Sequence, residues 1–314
     1  MRARFTAFCD THRGRQPYDC LLAWSGGKDS TYTLALLRQR YDLRVLAYTF
    51  DNGFVSPRAL DNMRQVADAL DVDHIIVRPR FDVLRTIFRQ AAERPDVYPV
   101  KALTRTSSVC NACMGLAKGI GAQLALRHGV PMVAYGWSPG QAPLASALFA
   151  RPIRLYRPMV EALASPLRRL TSVDIAPYFP TAEDWARVET PPCDVAPLLL
   201  HPYDEPSVVA AIEALGWRRP TDTDPNSSNC LLNAYGNATH RARYGFHPYA
   251  LEMANLVRQG IMERSEALAR LEAPEDPAVL TMVQDRLGVE RFASCQIGAV
   301  GAPHTSVGTG GHRQ

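Results

Sequence analysis

The feature that most constrains the fold is the segment from Leu21 to Leu37, which reads LLAWSGGKDSTYTLALL. A short apolar run ends at Trp24 and is followed at once by two adjacent glycines, Gly26 and Gly27, and then by helix-forming residues. Adjacent glycines allow backbone conformations that other residues avoid, so several N–H groups can converge on an oxyanion. The segment therefore predicts a buried strand, a phosphate-binding loop and a helix in succession.

Three further properties of this loop favour an anionic ligand. The following helix contributes the positive end of its dipole, Lys28 a full positive charge, and Ser25 and Ser30 hydroxyl donors. The spacing differs from that of the Walker loop, which needs a longer spacer between its first glycine and the Gly-Lys pair. We therefore expect a phosphate loop of another kind.

The hexapeptide SGGKDS, from Ser25 to Ser30, resembles the signature of the PP-loop ATP pyrophosphatases. Members of that superfamily cut ATP between its α and β phosphates, transfer AMP to a substrate oxygen and release pyrophosphate. The resemblance implies ATP and Mg²⁺ as cofactors, with Lys28 and Asp29 acting in catalysis. It implies an ATP site formed by Trp24, Ser25, Gly26, Gly27, Lys28, Asp29, Ser30, Phe50, Asp51, Gly136 and Trp137.

Strand and helix patterns alternate beyond the loop. Apolar runs predict strands at 21–24, 43–49, 74–77 and 130–135, and apolar periodicity predicts helices at 57–70, 81–92 and 115–128. This order is typical of an α/β fold with a parallel sheet and helices on both faces.

Two of these predicted strands end in residues that suit a nucleotide. Asp51 follows the second strand, where open α/β sheets hold the ribose or adenine. Gly136 and Trp137 follow the fourth strand, where a glycine-led turn closes over the adenine and α-phosphate in the superfamily. Many tRNA-modifying members have a histidine and two acidic residues after this glycine, and this sequence does not.

Four segments are expected in the 314 residues. They are an N-terminal leader at 1–18, the ATP-binding catalytic domain at 19–150, a substrate-facing and mainly helical portion at 151–297, and a flexible tail at 298–314. Prolines become frequent after residue 151, and the last residues are rich in glycine. The segment 222–236, rich in turn-forming residues around Cys230, is expected to be a loop.

Composition narrows the partners. No apolar run approaches the roughly 20 residues that span a bilayer, and the N-terminus lacks the apolar core of a signal peptide, so we expect a cytoplasmic protein without a membrane partner. The net charge of +4 is mild and no dense basic block is present. A nucleotide or nucleobase substrate is therefore favoured over tRNA.

A Cys-x-x-Cys pair, Cys110 and Cys113, stands before a helix of small residues. The helix N-terminus is expected to lower the thiol pKa, and the short spacing lets both sulfurs face one point. Three interpretations remain open: a zinc or iron–sulfur site completed by a third cysteine, a persulfide that a partner cysteine resolves, and an inert pair. The third ligand would be Cys230, in a loop that could bend around a cluster, or Cys193, while Cys295 is expected to be structural.

This arrangement resembles the iron–sulfur-dependent PP-loop tRNA thiolases, which carry a CxxC pair and a later single cysteine. That resemblance implies a 4Fe–4S cluster on Cys110, Cys113 and Cys230. The chain is also similar to the sulfurtransferases proposed to form 6-thioguanine compounds. Its C-terminal half, at 228–233, 244–249 and 257–260, resembles the PP-loop amidotransferases that act on N-acetyl sugars and receive ammonia from a glutaminase.

These observations favour an ATP-dependent sulfurtransferase that adenylates a carbonyl oxygen of a nucleotide or nucleobase, such as guanine or GMP, and replaces that oxygen with sulfur. Cys113 and Cys110 would handle the sulfur, which a desulfurase or free sulfide would supply. The alternatives are an amidotransferase for an N-acetyl sugar, a tRNA thiolase and a non-catalytic ATP sensor. A homodimer, common among relatives, is a further expectation.

Overall fold

The computed structural model describes residues 1–291, and its centre is a six-stranded sheet. The strands are β1 Cys20–Ala23, β2 Val45–Phe50, β3 Asp73–Val77, β4 Met132–Tyr135, β5 Leu148–Phe149 and β6 Cys193–Val195. They lie in the order β3-β2-β1-β4-β6-β5, and every neighbouring pair is parallel except β5 with β6. The predicted α/β fold with a parallel sheet is confirmed.

Thirteen α-helices surround this sheet within the described residues. They are α1 Arg2–His12, α2 Lys28–Ala35, α3 Pro57–Leu70, α4 Phe81–Glu93, α5 Val100–Leu103, α6 Ser108–His128, α7 Ile153–Leu170, α8 Ala182–Ala186, α9 Glu205–Glu213, α10 Leu232–Tyr244, α11 Ala250–Arg258, α12 Arg264–Glu272 and α13 Pro277–Leu287.

Helices cover both faces of the sheet. Successive residues of a strand point to opposite faces, so Leu21 and Leu22 of β1 enter different cores. Leu22 packs in a cluster with Leu34 of α2 and Val66 of α3, whereas Leu21 packs in a cluster with Ile120 of α6. Burial on both faces explains why β1 reads as a continuous apolar run.

The predicted boundary at residue 150 does not coincide with the end of the sheet. Strand β6 lies in the portion expected to be mainly helical, and it pairs in parallel with β4. Cys193, considered above as a third metal ligand, is the first residue of β6 and is only 3% exposed. Its place in the sheet core, packed in one cluster with Cys20 and Cys9, accounts for its burial.

Two other sequence expectations need adjustment, and a third is not tested. The leader 1–18 contains α1, which buries Phe5 and Cys9 against the core. The loop at 222–236 ends earlier than expected, because α10 begins at Leu232. The predicted tail 298–314 and Cys295 lie outside the described residues.

Helix α6 is the longest helix of the described residues, and it runs through the core. Judged by length and composition alone, it could cross a bilayer, but most of it is buried inside the protein. The sequence did not indicate a helix of this length and hydrophobicity, because Lys118 and several glycines interrupt the apolar run. Burial among α4, α7 and the sheet is what a core helix needs.

Candidate active site

The phosphate loop has the predicted geometry of strand, turn and helix. Strand β1 ends at Ala23, and α2 begins at Lys28. Gly26 has a φ of +77°, a left-handed conformation that only glycine adopts without strain. The Ser25 and Ser30 hydroxyls lie 3.0 Å apart across the turn. These contacts hold the loop in a tight turn at the carboxyl end of β1.

Lys28 is tied to its neighbours in this structure. Its Nζ donates to both carboxylate oxygens of Asp29, at 3.0 and 2.8 Å, and to the Tyr203 hydroxyl at 2.7 Å. Tyr203 in turn donates to Asp29 at 2.8 Å. Phosphate oxygens at the loop would compete with Asp29 for Lys28, leaving the Asp29 carboxylate available for a metal ion.

Glu205 gathers positive charge beside the loop. Its carboxylate lies 3.8 Å from Lys28 Nζ, 3.0 Å from Arg219 and 3.1 Å from Arg270. Sequence reasoning missed this network, because its members come from α9, α12 and the segment between α9 and α10 and carry no local motif. The signal that existed was the scarcity of lysine, which made Lys28 conspicuous.

The end of β4 makes a close approach to α2. A Cβ atom added to Gly136 would lie 2.5 Å from the Cα of Ser30, so only glycine fits here. The next residue, Trp137, lines the main cavity of the site. The turn predicted from the sequence therefore lies next to the phosphate loop.

The segment 227–231 covers the phosphate loop, and we call it the capping segment. The Lys28 backbone N–H donates to Ser228 Oγ at 3.0 Å. Two backbone hydrogen bonds fix the segment to the end of the sheet: Ser56 N–H donates to the Asn229 carbonyl, and Leu231 N–H donates to the Phe54 carbonyl, both at 2.9 Å. The Ser228 hydroxyl thus accepts a hydrogen bond from a backbone N–H that could otherwise donate to a phosphate oxygen.

A cavity of about 600 Å³ extends from the phosphate loop to the CxxC pair. Its walls combine loop residues, aromatic rings and thiols. Among the lining residues are Trp24, Ser25, Tyr48, Phe50, Asn52, Cys110, Cys113, Lys118, Trp137, Cys230 and Glu252. The start of the phosphate loop, at Trp24 and Ser25, and the three predicted cysteines therefore line one cavity.

Asn52 connects two of the three thiols. Its Nδ2 lies 3.4 Å from Cys113 Sγ and 3.4 Å from Cys230 Sγ. Cys110, one helical turn before Cys113, directs its sulfur toward the Asn233 side-chain oxygen at 3.6 Å. The structure thus brings Cys230 to the CxxC pair.

The expected lowering of the thiol pKa is wrong. Burial raises the pKa of Cys110 to about 11 and raises the pKa of Cys113 and Cys230 as well. Desolvation disfavours a thiolate more strongly here than the N-terminus of α6 stabilises it. The three thiols are therefore protonated at neutral pH unless a cation or a metal joins them.

Asp51 has a different position from the one expected of a ribose ligand. Its carboxylate receives a hydrogen bond from Arg78 Nε at 2.7 Å and another from the Gly53 N–H at 2.8 Å. The cavity is lined by its neighbours Phe50 and Asn52 rather than by Asp51 itself. The side chain organises the turn after β2.

Glu252 of α11 is a site residue that the sequence did not reveal. Its carboxylate accepts a hydrogen bond from Ser138 Oγ at 3.2 Å and lines the cavity. Burial, reinforced by the nearby Asp29 carboxylate, raises the pKa of Glu252 to about 7. Its charge is therefore poised to change near neutral pH.

The donor set for a metal can be compared with the residues present. Residues 1–291 contain no group of three His, Cys, Asp or Glu side chains placed to hold a single metal ion. Three thiols around one cavity are nevertheless the ligand type of an iron–sulfur cluster, whose cysteines need not meet at one atom. The chemistry of Cys110, Cys113 and Cys230 fits that group.

Comparisons with known proteins give distant likenesses. No protein-family profile matches the sequence. An uncharacterized protein of Methanocaldococcus jannaschii is 25% identical over 260 residues, which cover 83% of this chain and 74% of that protein.

Two solved structures are also similar. The U34-tRNA thiolase NcsA of Methanococcus maripaludis, solved with its 4Fe–4S cluster, matches with a TM-score of 0.40 and 13% identity over 96% of this chain and 84% of that chain. The NMN synthetase of Francisella tularensis matches with a TM-score of 0.35 and 11% identity over 94% and 99%. Because both TM-scores are low, a function has to be argued from the site itself.

Proposed function

We propose that this protein is an ATP-dependent sulfurtransferase that adenylates a carbonyl oxygen of a nucleotide or nucleobase and replaces it with sulfur. One observation carries the proposal: the three thiols Cys110, Cys113 and Cys230 line the same cavity as the start of the phosphate loop. Activation by ATP and delivery of sulfur need a shared, enclosed space, because an adenylated carbonyl hydrolyses in water.

The loop supplies the first step. Lys28 and the N–H groups at the start of α2 would bind the ATP phosphates, and Asp29, released from Lys28, would hold Mg²⁺. The substrate oxygen then attacks the α-phosphorus, the bond to pyrophosphate breaks, and the positive groups stabilise the charge that moves onto pyrophosphate.

The thiols supply the second step. In the persulfide route the outer sulfur of a Cys113 persulfide attacks the activated carbon, and the C–O bond to AMP breaks. Cys110 or Cys230 then attacks Cys113 Sγ, and the C=S product leaves with the outer sulfur. The resulting disulfide needs a dithiol reductant before the next cycle.

In the second route, a 4Fe–4S cluster would be held by Cys110, Cys113 and Cys230 and would supply bound sulfide at its open iron. Ligation would deprotonate the three thiols, which their raised pKa otherwise keeps protonated at neutral pH.

The test measures AMP, pyrophosphate and thiolated product from Mg-ATP and GMP or guanine, using anaerobically purified protein with sulfide in one series and with a persulfide donor and a dithiol reductant in a second. Cys113→Ser should abolish the thiolated product, while Cys193→Ser, which removes a buried thiol remote from the cavity, should retain it. Visible absorption with iron and acid-labile sulfide assays then distinguishes cluster from persulfide.

Other results would redirect the assignment. Incorporation of ammonia instead of sulfur would indicate an amidotransferase, and thiolation of tRNA alone would indicate a tRNA thiolase. Retention of ATP without release of pyrophosphate would indicate a nucleotide sensor. Each of these outcomes contradicts the proposal.

A further inference from the structure

Lys118 places a positive charge inside the cavity. It lies on α6, five residues after Cys113, and its side chain lines the same space as the thiols. Within residues 1–291 its ammonium makes no hydrogen bond and no ion pair. Its contacts are with two rings: Nζ lies 5.6 Å from the Tyr135 centroid and 5.2 Å from the Trp137 centroid.

One of these rings, Trp137, lines the cavity, and the other, Tyr135, stacks against it. Tyr135 and Trp137 are stacked, with centroids 5.7 Å apart and planes inclined by 20°. A cation over aromatic faces is stabilised in part, but it keeps its full charge and hydrogen-bonding capacity for a ligand. The Trp137 ring and the Lys118 ammonium, which both line the cavity, together suit a planar molecule that carries a negative group.

Nearby charges do not neutralise Lys118. Asp194 is the acidic residue of this neighbourhood, and its Oδ2 forms an ion pair with Arg151 Nη2 at 2.5 Å. Arg151 is 5% exposed, and its Nε and Nη1 have no hydrogen-bond partner in the described residues. Asp194 is thus one carboxylate near two positive side chains, the buried Arg151 and the partly buried Lys118, so this part of the cavity keeps a net positive charge.

Burial of the ammonium has a cost that an anion would offset. Desolvation lowers the pKa of Lys118. A bound carboxylate or phosphate would favour the charged form again, and the pairing would be strong because little water separates the two groups.

We propose that Lys118, beside the Trp137 ring that stacks on Tyr135, is an anion subsite that binds the carboxylate or phosphate group of a small planar substrate. Five residues of helix separate it from Cys113, about 7.5 Å along the axis. A substrate anchored there would present its reacting carbonyl to the thiols. This rests on the proposed function for the role of the cavity, and it adds the class of substrate.

The subsite can be tested without turnover. With the phosphate loop blocked by a saturating non-hydrolysable ATP analogue, calorimetry would compare GMP with guanosine and benzoate with benzamide. At least one anion should bind roughly tenfold more tightly than its neutral counterpart. Preference for GMP alone identifies a phosphate ligand, and preference for benzoate identifies a carboxylate ligand.

Three variants assign the preference to Lys118. Lys118→Met should abolish it, Lys118→Arg should restore much of it, and Lys101→Met, at an exposed lysine of α5, should leave it unchanged. Thermal unfolding of each variant checks the fold. If Lys118→Met does not fold, a second measurement is made on the wild-type protein. The anions should protect the Lys118 amine from chemical acetylation, and mass spectrometry measures the extent of acetylation.

The proposal is overturned if neither anion is preferred over its neutral counterpart and neither protects Lys118. It is equally overturned if Lys118→Met weakens the ATP analogue instead, or if only an RNA oligonucleotide binds. Failure of the sulfurtransferase activity would appear separately, as absent pyrophosphate and product with the anion preference intact.

Discussion

Lys28 of the phosphate loop and Lys118 of the cavity wall have opposite surroundings. Lys28 donates to Asp29 and Tyr203 and lies near Glu205. Lys118 lies over two aromatic rings and makes no hydrogen bond or ion pair within residues 1–291. A ligand of Lys28 must replace existing ion pairs, whereas a ligand of Lys118 gains an ion pair without breaking one.

The largest expected effect separates the two lysines. Lys28→Met should lower ATP-dependent pyrophosphate release by about 10³-fold, because it removes the charge that stabilises the leaving group. Lys118→Met should leave the affinity for a non-hydrolysable ATP analogue within about twofold of the wild-type value, since it acts on the other ligand. Pyrophosphate assays and calorimetry check the pair. If Lys28→Met and Lys118→Met lost analogue affinity equally, the distinction between the two lysines would be removed.

The three cysteine thiols that line the same cavity provide the next test. Since burial raises the pKa of Cys110 to about 11 from 9.0, its thiolate fraction at pH 8 should be about 100-fold smaller than that of an ordinary thiol. Alkylation of the Cys110 peptide with iodoacetamide should therefore be about 100-fold slower in the native apoprotein than in urea. A native rate equal to or above the urea rate would mean that the helix N-terminus outweighs burial.

Glu252 allows a test of how the free energy of unfolding depends on pH through a carboxyl group near the phosphate loop. Its pKa is raised to about 7 from 4.5, so its contribution to the free energy of unfolding is fully present below pH 4.5 and is lost as the pH rises through about 7. The difference between wild type and Glu252→Gln should fall by on the order of 1 kcal/mol per pH unit in this window and then level off. Urea unfolding of both proteins at several pH values measures it, and a flat difference would contradict the raised pKa.

The smallest effect concerns the capping segment. Ser228→Ala should tighten binding of the ATP analogue by about threefold, because the Lys28 N–H no longer has to give up Ser228 Oγ. Ser165→Ala, at an exposed serine of α7, is the matched control and should have no effect. Weaker binding by Ser228→Ala would show that the hydroxyl helps to hold the phosphates.

Local patterns predicted most of the sheet and little of the site beyond the loop. Helix α3 was predicted with its observed bounds, since apolar periodicity and a proline at its first position are local signals. Strand β6 was missed because three residues surrounded by prolines carry no periodicity. Its register depends on β4, far away in the chain.

For the site, the expected proximity of Cys230 to the CxxC pair agrees with the structure, and the expected direction of the thiol pKa shift is wrong. Cys230 was placed beside the CxxC pair by resemblance, and the structure brings it within 3.4 Å of the same Asn52 nitrogen as Cys113. The thiol pKa was predicted from the helix end alone, which the sequence reveals, whereas burial depends on the packing of α6 and α10, which it does not. Glu252 and Tyr203 were missed for the same reason.

The shortness of the capping segment has a mechanical consequence. Ser228 and Cys230 are two residues apart, a span of at most about 7 Å, and both are held by the same few backbone bonds. A phosphate that displaces the Ser228 hydroxyl therefore acts on the same short stretch of backbone that positions the Cys230 thiol. One segment thus contacts both the phosphate loop and the space around the thiols.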